Sequence, residues 1–535
     1  MNLYSSKIKI LNYLILSAFA FFINYFFSNL GVYPIDTFSS FDAGYLITKG
    51  YHPIKDFWVI SGVFIDYLQA LCFLIFGFNW NAYIFHASFL NAILSVFFLF
   101  FLNNINSNFY LNFCLAASLA TLCYPVSGTP FPYLHSYILS LISIMIFYLA
   151  VYKEEKIYWM ILPFFMLFAF LSMQLPSGLI NFLILTFTII YYIKIKRDFI
   201  FSFLSGTSVC LILIIVYFLL LKIDLKDAFI QLILFPLTIG ESRIVGDESA
   251  YASANLIKKL TIRGTLGHFK FINIFLFANF IAIIFFIKKN SRKWFEKKLL
   301  LNIFVFLCGL SFIFHQLITA NQTFIFSLIP ILCGLHIVQL NDFFKIKSKR
   351  INIFLLLIIV FVTVKYHNVY NVKRKFMDLQ NVNLNNAVKA EILNNKFNKL
   401  QWITPYHYKE NPKEELRLLK EAVSIISNEN VNNFMLITHY QFFSILTEKK
   451  INILNRWYFP NNNTHPTNSN NSYYSYYNHK INKLIKEKKI KKIYLAKSYP
   501  KEFWFINFED LLEGYCFKKI KHNDILHSID INNCY

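Results

Sequence analysis

The sequence predicts a polytopic α-helical membrane protein with a small α/β domain at its C-terminus. Three observations carry that fold class. Of 535 residues, 56% are hydrophobic and only 15% are charged, with a mean hydropathy of +0.46, outside the range of soluble globular domains. Apolar runs that can cross a bilayer, at about 20 residues per crossing, recur from Leu11 to Tyr366. After Tyr366 the apolar residues come in short runs among Asn, Lys and Glu, and the membrane pattern stops.

The first run, Leu11–Leu30, is too long for a signal-peptide core and has no small-residue cleavage site after it, so it reads as a retained span. Lys7 and Lys9 precede it and predict a cytoplasmic N-terminus. The later runs are Ala82–Leu102, Phe109–Tyr124, Ser136–Val151, Tyr158–Met173, Gly178–Ile193, Ile200–Leu221, Phe271–Ile287, Leu299–His315, Phe324–Leu340 and Ile351–Tyr366. That makes about eleven crossings. Basic clusters at Lys153/Lys156, Lys194/Lys196/Arg197, 288–298 and 345–350 then share the side of the N-terminus, and residues 367–535 form an outer, soluble domain. The 52 Lys and Arg against 29 acids, a net charge of +23, therefore read as topology and anionic-lipid contact. No nucleic-acid motif accompanies them.

Within the membrane domain, residues 1–366, the first outer loop spans 31–81 and a second large one 222–270. Two smaller ones lie at Gly128–Ser136 and His315–Thr323. SGVFIDYLQALCFLIFG, broken by Asp66 and Gln69, reads as a helix lying at the outer interface. In the C-terminal domain KEELRLLKEAVSIISN and HKINKLIKEKK have helical periodicity, and FMLIT, INIL and KIYLAK read as strands of a parallel sheet. The aromatic, Asn-rich stretch Arg456–Tyr477 is too long for a plain connection. It either stacks on sugar rings or has no role.

Of eight cysteines, Cys72, Cys114, Cys123, Cys210, Cys308 and Cys333 lie in apolar segments and read as small core residues. Cys516 and Cys534, alone in the outer domain, could pair in an oxidising compartment.

The spans are almost empty of acids and bases, which argues against a transport path through the bilayer. Polar groups gather instead at the outer surface. The stretch Gly31–Gly77 holds Asp36, Asp42, Asp56 and Asp66 beside Lys49, His52 and Lys55; the plain alternative is a solvated loop. No phosphate loop, dinucleotide fingerprint, zinc motif or nucleophile elbow is present. Asp36 follows a span end in a loop that must fold back on the membrane. A carboxylate there can accept a proton from a hydroxyl as a lipid phosphate leaves, with Lys49, Lys55, Arg243, Lys258 or Arg263 to neutralise that phosphate. His135 and His315 stand at outer span ends and, with His52 and Gln174, are candidates for contacting an acceptor or sugar, whereas His86 and His336 read as packed core residues. A divalent ion shared by Asp36 and Asp56 is a further option.

The first outer loop resembles that of the GT-C superfamily of membrane glycosyltransferases, particularly its bacterial protein-mannosyltransferase and aminoarabinose-transferase-like branch. The corresponding pieces are YPID ending at Asp36, AGYLITKGYHPIKDF around Asp56, and DYLQALCFLIFG ending at Gly77; FLSMQLPSGLI and GTPFPYLHS are similar too. The resemblance implies transfer of a sugar from a polyprenyl-phosphate donor to a glycan, lipid or protein acceptor at the periplasmic face of a bacterial inner membrane, with Asp36 as base. Thr37 stands where many relatives carry a second acid, which leaves Asp42 or Asp56 as the second carboxylate; Met173 and Tyr133 replace charged residues of some relatives. The competing readings are an O-antigen polymerase or ligase, which would lean on the outer-loop arginines Arg243 and Arg263, a transporter, and a glycan-binding protein.

Overall fold

The structure, a computed structural model, describes residues 3–106, 108–123, 128–246, 256–289, 296–319, 324–342, 344, 346, 348–430, 434–458, 462–498, 512 and 515–533. Each predicted crossing is a helix. The first ten helices are α1 (Leu3–Ser28), α2 (Pro34–Thr37), α3 (Phe41–Thr48), α4 (Val63–Phe76), α5 (Trp80–Ile105), α6 (Phe109–Leu122), α7 (Pro132–Lys153), α8 (Lys156–Ser172), α9 (Gln174–Lys194) and α10 (Ile200–Leu221). Four further long helices follow at His268–Lys289, Lys297–Ile318, Leu328–Asp342 and Lys349–His367.

Among the described residues, 10 helices are long and apolar enough to cross a membrane. They do not coincide fully with the predicted set. α6 and α8, at 14 and 17 residues, fall short of that length, while Leu225–Val245, expected as an outer loop with an amphipathic opening, qualifies by length and composition. Its contacts show how it lies. Asp227 near one end pairs with Lys480 at 2.9 Å, Thr238 accepts from Asn471 at 3.3 Å, and Arg243 near the other end donates to Asn463 at 2.7 Å. Both ends therefore touch the C-terminal domain, and Ile230, Phe235 and Ile239 share a core with Met435, Ile437 and Tyr477. The helix runs along that domain instead of leaving it.

α7 is the axis of the bundle, with its whole apolar window buried. Asn91 ties three helices together by donating to the carbonyls of Ala20 and Ala120 at 3.1 and 2.9 Å, the kind of polar link that apolar surroundings favour. Members of two of the predicted basic clusters come together at one end of the bundle. Glu154, after α7, binds Lys196 at 2.7 Å and Lys297 at 3.0 Å, and Lys298 binds Asp342 at 3.1 Å.

The C-terminal domain sits at the other end. A short antiparallel pair, β1 (Val388–Lys389) with β2 (Gln401–Trp402), precedes a sheet of β3 (Phe434–Thr438), β4 (Asn452–Ile453), β5 (Lys492–Ala496), β6 (Tyr515–Lys521) and β7 (Leu526–Asn533), in the order β4-β3-β5-β7-β6. β3 is parallel to β4 and β5, as expected of FMLIT, INIL and KIYLAK, but the β6–β7 hairpin adds antiparallel pairing, so the sheet is mixed. The two predicted helices appear at Pro412–Asn428 and Tyr474–Glu487. Cys516 is disulfide-bonded, the six cysteines of the apolar segments are free, and Cys534 lies outside the described residues.

The first outer loop is built into this domain. Its backbone pairs twice with it: Gly31 and Val32 donate to Gln401 and Ile403, and Trp58 donates to Leu454 while Arg456 donates back to Trp58. Phe38, Phe41, Trp80 and Tyr83 pack into one core with Phe397, Trp402 and Phe442. Residues 31–83 and 397–442 thus fold as a unit, although about 300 residues of chain separate them.

Candidate functional site

Three of the four acids in the first outer loop hold structure together. Asp42, buried in α3, accepts from the backbone amides of Ser444 and Ile445, both at 3.0 Å. Burial raises its carboxyl to about 7 against the pull of those amides. Asp66 is buried against Arg456 at 3.4 Å, and the same guanidinium donates to Ser61 at 3.3 Å. A side chain at Gly62, whose φ is +78°, would collide with that guanidinium. Asp56 accepts from the His52 amide at 2.8 Å and closes the Ile54–Phe57 turn. Both candidates for a second carboxylate, Asp42 and Asp56, are engaged by backbone amides, and Asp42 is fully buried. Among the described residues, no group of three or more His, Cys, Asp and Glu side chains converges on a metal-sized site.

Asp36 differs. Pro34 presets the single turn of α2, and Thr37, fully buried, closes it by accepting from the Tyr33 amide at 2.8 Å. Thr37 therefore has a backbone task at the position where the resemblance places a second acid. Asp36 is half-buried, and among the described residues no ion pair or hydrogen bond holds its carboxylate. Burial, together with the nearby Asp378 carboxylate, pushes it from 3.8 up to about 7. Asp378 comes from a turn after the last long helix, where φ is +54°, and its own pKa is raised by burial while Tyr33 hydrogen-bonds to it. The rings of Tyr33 and Tyr406 stand 5.8 Å apart beside the pair. A carboxyl poised near neutrality suits a general base, and the charged group that acts on Asp36 is Asp378. Removing that charge in Asp378→Asn should move the rising limb of activity against pH to lower pH and raise the rate several-fold near about pH 6. A profile unchanged in position would separate Asp378 from the site.

The second group of polar atoms is reached along an aromatic wall. Trp457 donates to the carbonyl of Ile35 at 2.6 Å and its ring lies 6.3 Å from Phe131. Phe131 lies 5.7 Å from Tyr133, whose hydroxyl is 3.5 Å from Arg243. Arg243 is buried, and beside it are His315 and Gln316, also buried, and Lys259. Among the described residues, Arg243 Nε, His315 Nε2, Gln316 Oε1 and Lys259 Nζ have no hydrogen-bond partner. No carboxylate pairs with Arg243 or Lys259 among the described residues. Burial and the Arg243 charge lower the Lys259 pKa. Two uncompensated cations held together make a place for an anion.

The remaining candidates fall elsewhere. His135 Nε2 stands 3.1 Å from His86 Nε2, and His86 stands 3.0 Å from Gln69, a buried relay that fixes the start of α7. Gln174 donates to the carbonyls of Ile60 and Leu232, both at 2.8 Å, and stitches the outer loop to the Leu225–Val245 helix. Lys49 is exposed over Tyr45 and Phe78, and Arg263 is exposed. His52 bonds the Tyr67 hydroxyl at 2.9 Å, and burial lowers its pKa. Lys55 donates to the Leu221 carbonyl at 3.0 Å. His52 and Lys55 flank a cavity of about 760 Å³ lined by Val63, Phe64, Tyr67, Phe168, Tyr217 and Leu232 and almost wholly apolar.

Asp378, Tyr406, Lys259, Gln316 and Trp457 were not singled out from sequence. Each belongs to a different stretch and carries no local motif. No known family model matches the chain, and no curated protein matches it.

Proposed function

We propose that this chain is a GT-C-like glycosyltransferase that moves a sugar from a polyprenyl-phosphate donor to an acceptor hydroxyl at the outer face of a bacterial inner membrane. The observation that carries this reading is the unpaired, near-neutral Asp36 carboxyl joined by one aromatic wall to a buried, uncompensated Arg243. Asp36 takes the proton of the acceptor hydroxyl as its oxygen bonds to the anomeric carbon. The bond from that carbon to the phosphate oxygen breaks, and polyprenyl phosphate leaves with its charge held by Arg243 and Lys259. Attack from the side opposite the phosphate inverts the anomeric centre. The apolar cavity suits part of the prenyl chain, and the Leu225–Val245 helix that borders it also carries Arg243. The aromatic wall offers faces for a sugar ring.

The test uses the purified chain in vesicles with polyprenyl-phosphate hexoses and pentoses, read by mass spectrometry as free polyprenyl phosphate. Release with at least one donor is expected. A polymerase or ligase, which would also use a buried outer-loop arginine, would leave these donors intact and consume diphosphate-linked oligosaccharides. Orientation has its own test. Ser469 is exposed in the aromatic, Asn-rich stretch, and Ser469→Cys should react with an impermeant maleimide in intact spheroplasts. Labelling only after lysis would reverse the topology.

A further inference from the structure

We infer that Lys270, Lys365 and Lys375 form a binding site for the headgroup of an acidic phospholipid, at the outer ends of the His268–Lys289 and Lys349–His367 helices. Two ammonium groups from different helices share one ring there. Lys270 Nζ lies 5.3 Å and Lys365 Nζ 5.7 Å from the centroid of Phe271, so each sits in the field of the other. The Phe271 ring stands 6.2 Å from Tyr366, which stacks on Phe326 at 3.9 Å, and these aromatic faces fix where the two side chains lie. The Lys375 charge, from the short turn Lys375–Met377, acts on His268, whose ring is 5.8 Å from Phe326. Among the described residues no carboxylate pairs with any of the three lysines, and His268 Nε2 is buried with no hydrogen-bond partner. Like charges held together without an acid call for an anion from outside the chain.

The same two helices indicate where that anion comes from. Ile274, Phe277 and Ile281 follow Lys270 at steps of four, seven and eleven residues, and Phe361 and Leu357 precede Lys365 by four and eight, so each lysine heads a ridge along one helix face. All five apolar side chains are exposed, as lipid-facing side chains of a crossing helix are. Behind them the Leu328–Asp342 helix packs against both helices and is itself mostly buried. A lysine at the head of such a ridge lays its stem on apolar surface and lifts its ammonium to the depth of the headgroups. An anion bound here therefore arrives with acyl chains that lie along the ridges. Orientation in the membrane does not require these cations, because the basic ends at 288–298 and 345–350 supply it from the opposite face. Basic sites between crossing helices hold the phosphates of acidic lipids in the same way. The site shares no residue with the Arg243 and Lys259 group, and lipid binding there does not depend on sugar transfer.

The experiment is native mass spectrometry of the full chain, released from micelles after incubation with equimolar phosphatidylglycerol and phosphatidylcholine of the same acyl chains. Wild type should retain at least one phosphatidylglycerol that the Lys270→Gln, Lys365→Gln double variant loses. Each single variant should weaken that adduct roughly fivefold, and Lys365→Arg, which keeps the charge, should hold it as wild type does. Both lysines are exposed, so the variants should melt in neutral detergent at the wild-type temperature and retain phosphatidylcholine unchanged. Arg243→Gln should also keep the adduct; its loss there would place the lipid in the donor site and overturn the inference. Equal retention of the two lipids by wild type, or an unaltered adduct in the folded double variant, would overturn it as well. Displacement of the adduct by sn-glycerol 1-phosphate at equal concentration would identify a free anion as the ligand and refute the assignment to a lipid.

Discussion

Asp36→Asn is expected to lower sugar transfer by about 10²–10⁴-fold, the usual contribution of a positioned general base, with expression, membrane insertion and donor binding unchanged. The amide keeps the shape of the carboxyl and cannot accept the proton. The same variant has a second signature. Burial raises the Asp36 pKa from 3.8 to about 7, so the folded state binds this proton more tightly than the unfolded chain does. That contribution to stability is present in full below pH 3.8 and declines as pH rises through about 7. Asp36→Asn should therefore melt higher than wild type above pH 7 and show little difference at acid pH. Transfer near the wild-type rate would remove Asp36 from the chemistry; equal melting at all pH values would contradict its burial.

Arg456→Met is expected to be the most damaging single change outside the site. It leaves Asp66 fully buried without its cation, and breaking one partner of a buried pair costs about 3–5 kcal/mol. The Arg456 side chain also ties Ser61 and Asp66 of the first outer loop to the C-terminal domain, so that domain should loosen from the loop and be cut faster by protease. The pair is incomplete as it stands, with Asp66 Oδ2 and Arg456 Nε lacking a hydrogen-bond partner among the described residues. Adding Asp66→Leu to Arg456→Met should therefore restore most of the lost stability, because the double variant buries no charge. A single variant as stable as wild type would mean that the guanidinium does not hold the domain.

The helices were legible because their apolar runs are long and their basic ends mark one face; Glu154 meeting Lys196 and Lys297 is that charge pattern made physical. The Leu225–Val245 helix shows where composition misleads. It has the length of a crossing, yet its ends touch Lys480 and Asn463 of one domain. Asp36 stood out by its place in the chain. Asp42 and Asp66 shared that place, and nothing local distinguishes an acid that caps Ser444 or pairs with Arg456, about 400 residues away, from one that meets a substrate. Arg243 and His315 were singled out as charged or titratable groups at outer segment ends. Their grouping with Lys259 and Gln316 needs the packing of three segments, which no spacing encodes.

The most direct measurement is a structure of the full chain with a non-hydrolysable phosphonate analogue of a polyprenyl-phosphate sugar. The account predicts the phosphonate against Arg243 and Lys259, with the sugar on the Phe131–Tyr133–Trp457 wall and its anomeric carbon turned toward Asp36. An analogue seated with its phosphonate at His52 and Lys55 beside the apolar cavity, and Asp36 facing solvent, would contradict it.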